Sequence, residues 1–456
     1  MSSPSLSVIG LGKLGSPFAA VMAAKGFQVI GVDKNKKFVS SINAGVAPVQ
    51  EPQLQDFIRK GKSRLRATMS MDEAVINSDI SFIIVPTPSG KDGVFNNEFV
   101  LSAIRDMAPA IKNKKTRHII VVTSTVMPGS SDGIIRETIE KHTGKVVGDS
   151  IGYCYNPEFI ALGSVIADML DPDFILIGES DAKSGKIIGD IYKTVCGKDT
   201  ILHRMNCVNA ELSKLSINTF VTAKISYANM LTDICERLPG ADVDVVTAAV
   251  GADSRIGKKY LKGAVAYGGP CFPRDNIALS MMARKLGARV DLSFATDRIN
   301  EYQTERLAKR IEKMFPSGAH IGIAGMAYKP DTPVIERSAG MALAKQLLRD
   351  GYKVSITDPL AAKAAKEALN GKVNVVADIK TISSRVDVLL VMTSLKEYRS
   401  LNARSIGKRK NPLVIFDCWR MFDKNAFGSK AVLLGLGRGD GFAQLKSQKK
   451  QKVNKG

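Results

Sequence analysis

Leu6-Ser-Val-Ile9 runs directly into Gly10-Leu-Gly12-Lys-Leu-Gly15 near the start of the chain, and these ten residues decide the fold. Apolar residues then recur at helical spacing from Phe18 to Met22. The pattern predicts a strand, a tight turn and a helix. The first two glycines let the backbone turn sharply and approach a pyrophosphate, and the third lets helix and strand pack closely.

The second predicted strand, Gln28–Val32, ends in Asp33, an acid about 20 residues beyond the glycine turn. Its carboxylate can accept hydrogen bonds from the adenosine ribose and would repel a 2′-phosphate, which favours NAD over NADP. Lys34, Lys36 and Lys37 weaken that preference. We therefore predict NAD as the cofactor. Its predicted contacts here are Gly10, Gly12, Leu14, Gly15 and Asp33.

Two further predicted strands, Ile80–Val85 and His118–Thr123, end in polar turns that contain Thr87, Ser124 and Thr125. In a doubly wound sheet the carboxyl ends of the strands line the cofactor crevice. We therefore expect these three side chains where nicotinamide and substrate meet. Ordinary turn chemistry would explain the same residues equally well.

The second half of the chain predicts a long helix and then another α/β segment. Apolar residues keep helical spacing from Asn209 to about Arg237, without glycine or proline. Strands are predicted at Ile321–Ala324, Lys353–Thr357, Val386–Met392 and Leu413–Phe416. The predicted fold class is α/β, with two Rossmann-like doubly wound domains joined by a long central helix and a helical dimerisation region. The predicted divisions are 1–200, 201–315, 316–442 and a basic tail at 443–456.

Composition argues against several classes of protein. The 45% of hydrophobic residues occur in runs shorter than the ~20 apolar residues of a membrane span, and the chain does not open like a secretory signal, so we expect a cytoplasmic protein. Six scattered cysteines and four histidines without ligand spacing predict neither a disulfide framework nor a metal site.

The net charge of +21 suits either nucleic acid or small polyanions such as sugar nucleotides. Five lysines between Lys446 and Lys455 predict a disordered tail, for which a solubilising role is favoured over nucleic-acid binding.

The most informative string is Ala266-Tyr-Gly-Gly-Pro-Cys271-Phe-Pro-Arg-Asp275. A cysteine in a glycine- and proline-rich loop is not typical of a core. Backbone amides and a following helix N-terminus can stabilise its thiolate, and Asp275 can return to the same site to position water or accept a proton. Cys271 is therefore the predicted nucleophile.

In four motifs the chain resembles the UDP-glucose/GDP-mannose dehydrogenase family, over nearly its whole length. These are the glycine turn, Tyr155-Asn-Pro-Glu-Phe159, Glu211-Leu-Ser-Lys-Leu-Ser-Ile-Asn218 and the cysteine loop. The resemblance implies an NAD domain, a helical dimerisation region and a C-terminal domain for the nucleotide of the substrate. It also implies oxidation of a sugar C6 alcohol by two NAD+, through a thiohemiacetal and a thioester on Cys271.

Other catalytic roles follow from the resemblance, with some support from spacing. Lys214 and Asn218 are four residues apart on a helix, so one face can present both to an oxyanion. Asp275 with Thr125 would hold a proton-accepting water, and Glu158 would be the base for thioester hydrolysis. Which carboxylate serves which step stays open.

The resemblance also implies the substrate contacts, which lie on the helix that carries Lys214 and in all three regions of the chain. Arg255 is expected to reach the substrate of a neighbouring subunit in a homodimer or a higher homo-oligomer. The full predicted set is Glu158, Phe159, Ile160, Lys214, Asn218, Arg255, Tyr260, Gly268, Lys329 and Arg420. Two departures from the family pattern affect this set: Leu162 replaces a second glutamate, and Glu336-Arg337 reverses the usual order, which leaves Arg337 a less certain cofactor contact.

UDP-glucose is the first choice of substrate, with GDP-mannose and UDP-N-acetylhexosamines as rivals. Two other classes of function stay open: a two-electron NAD dehydrogenase without covalent catalysis, and a binding protein that uses its basic surface.

Overall fold

The structure is a computed structural model, and it describes residues 3–197 and 199–439. Its contacts divide the chain into two compact units, Met1–Ser216 and Ile217–Gly456. The predicted basic tail at 443–456 lies outside the described residues.

The first unit is built on one eight-stranded sheet. Its strands are β1 (Leu6–Ile9), β2 (Val29–Val32), β3 (Leu65–Thr68), β4 (Ile80–Ile83), β5 (Ile119–Val122), β6 (Gly152–Tyr155), β7 (Ile175–Glu179) and β8 (Leu202–Met205). Its helices are α1 (Gly15–Ala24), α2 (Lys36–Asn43), α3 (Leu54–Gly61), α4 (Met71–Ile76), α5 (Glu98–Asn113), α6 (Arg136–Thr143), α7 (Val165–Leu170) and α8 (Ala182–Cys196), with a π-helical turn at Ser131–Ile135.

The strand order is β3-β2-β1-β4-β5-β6-β7-β8, and only the β6–β7 pairing is antiparallel. The chain passes from β1 outward through β2 to β3 and then returns to β4 on the other side of β1. This reversal is the switch point of a doubly wound sheet, where ligands bind beyond the carboxyl ends of the strands. It places the glycine turn after β1 beside the loop after β4.

Both faces of this sheet are covered, because its central strands are apolar at nearly every position. Leu6 and Val8 pack into one buried cluster with Phe18 of α1, whereas Ile9 packs into a second cluster with residues of α5. The rings of Phe18 and Phe82 lie 4.8 Å apart, so α1 is fixed directly against β4. This packing explains why the strands read as continuous apolar runs rather than alternating ones.

Helix α9 (Cys207–Arg237) is a single helix of 31 residues, which begins in the first unit and continues into the second. It begins two residues before the predicted start. Near its end, buried Glu236 lies 2.5 Å from Arg306 and also pairs with Arg310.

The second unit contains a parallel six-stranded sheet preceded by helices. The helices are α10 (Val243–Ala252), α11 (Phe272–Lys285), α12 (Asp291–Met314), α13 (Ala339–Arg349), α14 (Ala362–Ala368) and α15 (Ile379–Ser383), with 3-10 turns at Lys396–Ser400 and Gly428–Lys430. The strands are β9 (His320–Ala324), β10 (Lys353–Thr357), β11 (Asn374–Val375), β12 (Val388–Val391), β13 (Leu413–Asp417) and β14 (Ala431–Gly435). Their order, β11-β10-β9-β12-β13-β14, repeats the winding of the first sheet. The predicted fold class, with two Rossmann-like sheets, is confirmed.

Candidate active site

The glycine turn after β1 has the geometry that a pyrophosphate requires. Gly10 has φ +100°, and a Cβ there would lie 2.3 Å from the carbonyl oxygen of Ile84. A Cβ on Gly15 would lie 1.8 Å from the carbonyl oxygen of Gly10, so only glycine lets α1 begin so close to the strand. A Cβ on Gly12 would meet no atom within 4 Å, which leaves its backbone accessible to a ligand. These features fit a dinucleotide.

Asp33 lies directly after β2 and is fixed by backbone amides. Its Oδ2 accepts a hydrogen bond from the N–H of Leu11 at 2.7 Å, and its Oδ1 accepts one from Asn35 at 2.7 Å. The carboxylate is half-buried and has lone pairs left for a ribose diol. Leu14 is half-buried at the start of α1. Lys34 pairs with Asp106 at 3.3 Å.

The structure brings Thr87, Ser124 and Thr125 together beyond β4 and β5. Thr87 Oγ1 donates to the carbonyl oxygen of Thr125 at 2.7 Å. Ser124 Oγ accepts from the N–H of Val85 at 2.9 Å and donates to its carbonyl at 2.7 Å. The hydroxyls of Thr87 and Ser124 therefore link the loop after β4 to the loop after β5, instead of closing a local turn.

Glu158 lies in a connected group of side chains beyond β6. Lys214 Nζ donates to the main-chain carbonyl of Glu158 at 2.6 Å and lies 4.4 Å from the centre of the Phe159 ring. The hydroxyl of Tyr192 lies 3.0 Å from Glu158 Oε1. Desolvation raises the pKa of Glu158 to about 7. This effect outweighs the hydrogen bond from Tyr192 and the charge of Lys214, both of which lower that pKa. A carboxyl that titrates near neutral pH suits general base catalysis. Ile160, two residues after Glu158, is half-buried.

Glu211 is a buried acid that the sequence analysis quoted within a motif without giving it a role. It is fully buried, and its carboxylate accepts hydrogen bonds from the N–H groups of Gly129 at 2.6 Å and Ser131 at 2.8 Å. Glu211 thus ties the loop after β5, which carries Thr125, to the helix that carries Lys214. Its position one helical turn before Lys214 was the available signal.

In the second unit, Cys271 is exposed and lies at the N-cap of α11. The helix that follows it has 14 residues, so its N-terminal dipole favours a negative charge on the sulfur. Asp275, in the first turn of α11, is 1% exposed and accepts a hydrogen bond from Asn218 Nδ2 at 2.6 Å. The structure thus joins Asn218 of α9 to Asp275 in the first turn of α11, the helix that Cys271 caps.

The loop before Cys271 packs against the segment between β9 and α13. A Cβ on Gly268 would lie 2.2 Å from the carbonyl oxygen of Arg337, and the N–H of Gly269 donates to Glu336 at 3.0 Å. Burial, and secondarily the charge of Cys271, raises the pKa of Tyr328 to about 12. The main chain of Arg337 therefore lies close against Gly268, while the residue as a whole is exposed.

Three other predicted substrate residues lie at the surface or at a cavity. Lys329 lines a cavity beyond the carboxyl ends of β9 and β10 together with Asp331 and other residues. Tyr260 is exposed, with φ +64°, and its ring meets Phe272 edge-on. The exposed Arg255 lies 2.6 Å from Asp253.

The prediction that Arg420 contacts the substrate needs correction. Its side chain is buried and forms a two-pronged ion pair with Asp244 at 2.7 and 2.8 Å. Its other N–H groups donate to the carbonyl oxygens of Cys418, Leu436 and Gly263. Since all five guanidinium hydrogens have protein acceptors, Arg420 holds α10 and neighbouring loops together instead of presenting a charge to a ligand.

Three sequence models of one family match successive parts of the chain. The NAD binding domain of the UDP-glucose/GDP-mannose dehydrogenase family matches residues 5–196, its central domain matches 208–302, and its UDP binding domain matches 322–424. The chain belongs to this family. Its cofactor is NAD, and it is an NAD-dependent nucleotide-sugar dehydrogenase that oxidises the sugar at C6.

Individual relatives agree with this assignment. The chain is 33% identical to UDP-glucose 6-dehydrogenase AglM of Haloferax volcanii, over 87% of this chain and 93% of that protein. It is 30% identical to a GDP-mannose 6-dehydrogenase of Pseudomonas putida, over 90% and 96%. A solved UDP-glucose dehydrogenase of Pyrobaculum islandicum superposes with a TM-score of 0.87 at 32% identity, over 96% and 98%.

Two kinds of feature are absent from the described residues: helices suited to a membrane span and side-chain clusters suited to a metal ion. None of their helices combines the length and apolar character of a membrane span. None of their histidine, cysteine, aspartate and glutamate side chains form a group of three or more suited to a metal ion.

Proposed function

We propose that this protein is a UDP-glucose 6-dehydrogenase that forms covalent intermediates on Cys271. The observation that carries the proposal is the exposed Cys271 at the N-terminus of α11, with Asp275 in the first turn of that helix hydrogen-bonded to Asn218 of α9. NAD+ held by the glycine turn and Asp33 would supply the acceptor for the hydride that leaves C6 in each of the two oxidations. Overall, one alcohol, two NAD+ and one water give one carboxylate, two NADH and three protons.

The residues of the chain supply the remaining chemistry. The Cys271 thiolate attacks the C6 aldehyde to give a thiohemiacetal, whose oxygen receives charge stabilisation from Lys214 and a hydrogen bond from Asn218. Asp275 and Thr125 hold the water that accepts the alcohol proton. After the second oxidation, Glu158 removes a proton from the water that attacks the thioester, which releases the acid and restores the thiolate.

We assign NAD binding to the glycine turn, Asp33 and the loops beyond β4 and β5. Substrate contacts are assigned to Phe159, Ile160, Tyr260, Gly268 and Lys329, and Arg337 is kept as a weaker cofactor candidate. The divisions 1–200, 201–315 and 316–442 would correspond to cofactor, dimerisation and nucleotide domains.

UDP-glucose is preferred over GDP-mannose because both the 33% identical relative and the superposed structure at 32% identity act on UDP-glucose. The relative that acts on GDP-mannose is 30% identical, so GDP-mannose remains the second candidate. A UDP-N-acetylhexosamine is the third.

We further propose a homodimer formed through α9. Phe220, Tyr227 and Ile234 lie seven residues apart on this helix and are 65%, 46% and 44% exposed. This spacing puts them on one face, and an apolar helix face of this kind suits a partner helix. Arg255 would reach the active site of the partner. We also place the enzyme in the cytoplasm, because a reducing compartment keeps Cys271 as the thiol that the mechanism needs.

The test is NADH production from the purified protein, NAD+ and one sugar nucleotide at a time: UDP-glucose, GDP-mannose, UDP-N-acetylglucosamine or UDP-N-acetylmannosamine. We expect two NADH per UDP-glucose consumed and loss of turnover in Cys271→Ala, with Cys235→Ala, a buried cysteine of α9, as the matched control. One NADH per sugar, or a Cys271→Ala variant that only slows turnover, would refute covalent catalysis. Two NADH from another sugar would refute only the choice of substrate.

A further inference from the structure

The carboxyl of Glu158 belongs to a hydrogen-bonded chain whose members lie within the first unit. Tyr192, on α8, is 2% exposed, and its hydroxyl lies 2.6 Å from Asn156 Oδ1 and 3.0 Å from Glu158 Oε1. Asn156 is 1% exposed, and its Nδ2 donates to the carbonyl oxygen of Leu176 at 2.9 Å. The proposed mechanism gives neither Tyr192 nor Asn156 a role.

The orientation of the Asn156 amide follows from its neighbours. The carbonyl of Leu176 can only accept a hydrogen bond, so the NH2 group of Asn156 must face it. The amide oxygen of Asn156 must then face Tyr192. A phenol has a single hydroxyl proton, so Tyr192 cannot donate to Asn156 and to Glu158 at the same time.

We propose that Asn156 and Tyr192 are positioning residues for Glu158: the amide oxygen of Asn156 accepts the hydrogen bond of the Tyr192 hydroxyl, and the oxygen of that hydroxyl is thereby presented as an acceptor to the protonated Glu158 carboxyl. In this arrangement the protonated carboxyl donates to Tyr192, which donates to Asn156. When Glu158 loses its proton, Tyr192 can serve only one of its two neighbours. The pair therefore favours the protonated acid in the resting enzyme.

The other ionisable groups around Glu158 are Lys214 of α9 and Cys196 of α8. Lys214 contacts the main-chain carbonyl of Glu158 and favours the charged carboxylate. The thiol of Cys196 donates to the carbonyl of Met169 at 3.1 Å, and burial raises its pKa to about 11. Desolvation raises the pKa of Glu158 to about 7, and a hydrogen bond donated by the Tyr192 hydroxyl lowers it. Because Asn156 competes for that donor, it weakens the lowering.

Asn156→Leu removes the acceptor and frees the Tyr192 proton for the ionised Glu158. We expect the pKa of Glu158 to fall by about one unit, the size of one hydrogen bond to a charged group. Asn156→Asp keeps the size of the side chain and makes it a stronger, charged acceptor, so it should raise that pKa. In a Tyr192→Phe background no hydroxyl links the two residues, and Asn156→Leu should then have no effect.

The measurement is a pH titration of the full-length protein labelled with 13C-glutamate, without substrate. The carboxyl signal of Glu158 is identified by its loss in Glu158→Gln, and circular dichroism checks the fold of each variant. A fall in Asn156→Leu that vanishes in the Tyr192→Phe background is the expected result. No fall, or an equal fall in that background, overturns the proposal. If Asn156→Leu does not fold, Asn156→Asp decides: its upward shift must be larger with Tyr192 present than without it.

The inference depends on the proposed function only for the step that Glu158 serves. That step is measured separately, as the decay of the covalent adduct on Cys271 followed by quenching and mass spectrometry across pH. If the decay rate does not follow the titration of Glu158, the role of Glu158 as hydrolytic base fails, whereas the Tyr192–Asn156 pair is judged by the titration alone.

Discussion

Replacing Asn218 by alanine removes the hydrogen bond that this residue donates to Asp275. The bond is 2.6 Å long and joins two side chains that are 8% and 1% exposed. Solvent therefore screens it little, and a hydrogen bond to a charged group is worth about 1.5–3 kcal/mol. For a unit of this size, about 2–4 °C of unfolding temperature corresponds to each kcal/mol, so we expect a loss of roughly 3–12 °C.

The same change should slow catalysis, because Asn218 is proposed to donate to the oxygen of the thiohemiacetal. Loss of one oxyanion donor costs about 10²–10³ in kcat. The matched control is Asn209→Ala, which makes the same substitution at an exposed position of α9. We expect this control to leave kcat unchanged, because Asn209 has no proposed contact with substrate or cofactor, and to change the free energy of unfolding by at most about 0.5 kcal/mol.

The assay combines thermal unfolding by circular dichroism with initial rates of NADH formation at saturating NAD+ and UDP-glucose. An Asn218→Ala variant that unfolds at the same temperature as Asn209→Ala would show that the bond to Asp275 contributes nothing. A variant that unfolds earlier but keeps its kcat would show that Asn218 orients Asp275 without contacting the reacting oxygen.

Three further predictions concern other parts of the molecule. Gly15→Ala puts a Cβ 1.8 Å from a carbonyl oxygen, so the free energy of unfolding should fall by about 1–3 kcal/mol, measured by thermal unfolding. In the matched variant Gly12→Ala the Cβ meets no protein atom within 4 Å. That variant should weaken only NAD binding, measured by calorimetry. Equal stability of the two variants would contradict this. Desolvation raises the pKa of Glu211 above its ordinary 4.5, so the folded state binds the carboxyl proton more tightly than the unfolded state does. The stability of the native protein relative to Glu211→Gln should therefore be greatest below pH 4.5. It should fall as pH rises through the raised pKa. Urea unfolding across pH measures the difference, and a difference independent of pH would refute the assignment. Arg420→Met breaks the ion pair between the buried Arg420 and Asp244, whose side chain is 40% exposed. With allowance for that exposure, we expect the free energy of unfolding to fall by roughly 2 kcal/mol, measured by thermal unfolding. Unchanged stability with a large rise in KM for UDP-glucose would instead restore the role of Arg420 in substrate binding.

The strands that the sequence predicted are buried at nearly every position, although the equally buried β6 was not predicted. Leu6–Ile9 and Lys353–Thr357 were predicted with the bounds that β1 and β10 have, and the other predicted strands differ from the structure by one or two residues at their ends. Six strands were not predicted: β3, β6, β7, β8, β11 and β14. Several of these are short or carry exposed residues, as in β3, where Arg66 is exposed, and β11, which has two residues. Such segments become strands because they hydrogen-bond to a neighbouring strand, and the local sequence pattern carries no information about that neighbour.

The sequence also identified the residues around which the site is built, because their chemistry depends on residue type and local spacing. Gly10, Gly15 and Asp33 were assigned from a turn of fixed length, and the structure gives each the geometry that the turn requires. Cys271 was assigned from an unusual loop composition. Arg420 was assigned by resemblance alone, and only the structure revealed the ion pair that occupies its guanidinium.

By itself, then, the sequence determined what is local: the periodicity of helices and strands, the glycines that a tight turn demands, and the thiol at the start of a helix. The tertiary structure decided which distant residues share a hydrogen bond, as Glu211 does with Gly129, Asn218 with Asp275, and Tyr192 with both Asn156 and Glu158. The physical reason is that burial removes water as the alternative partner, so a polar group must take whichever neighbour the packing brings to it. Residue spacing along the chain cannot specify that neighbour, and the titration of Glu158 near neutral pH depends on it.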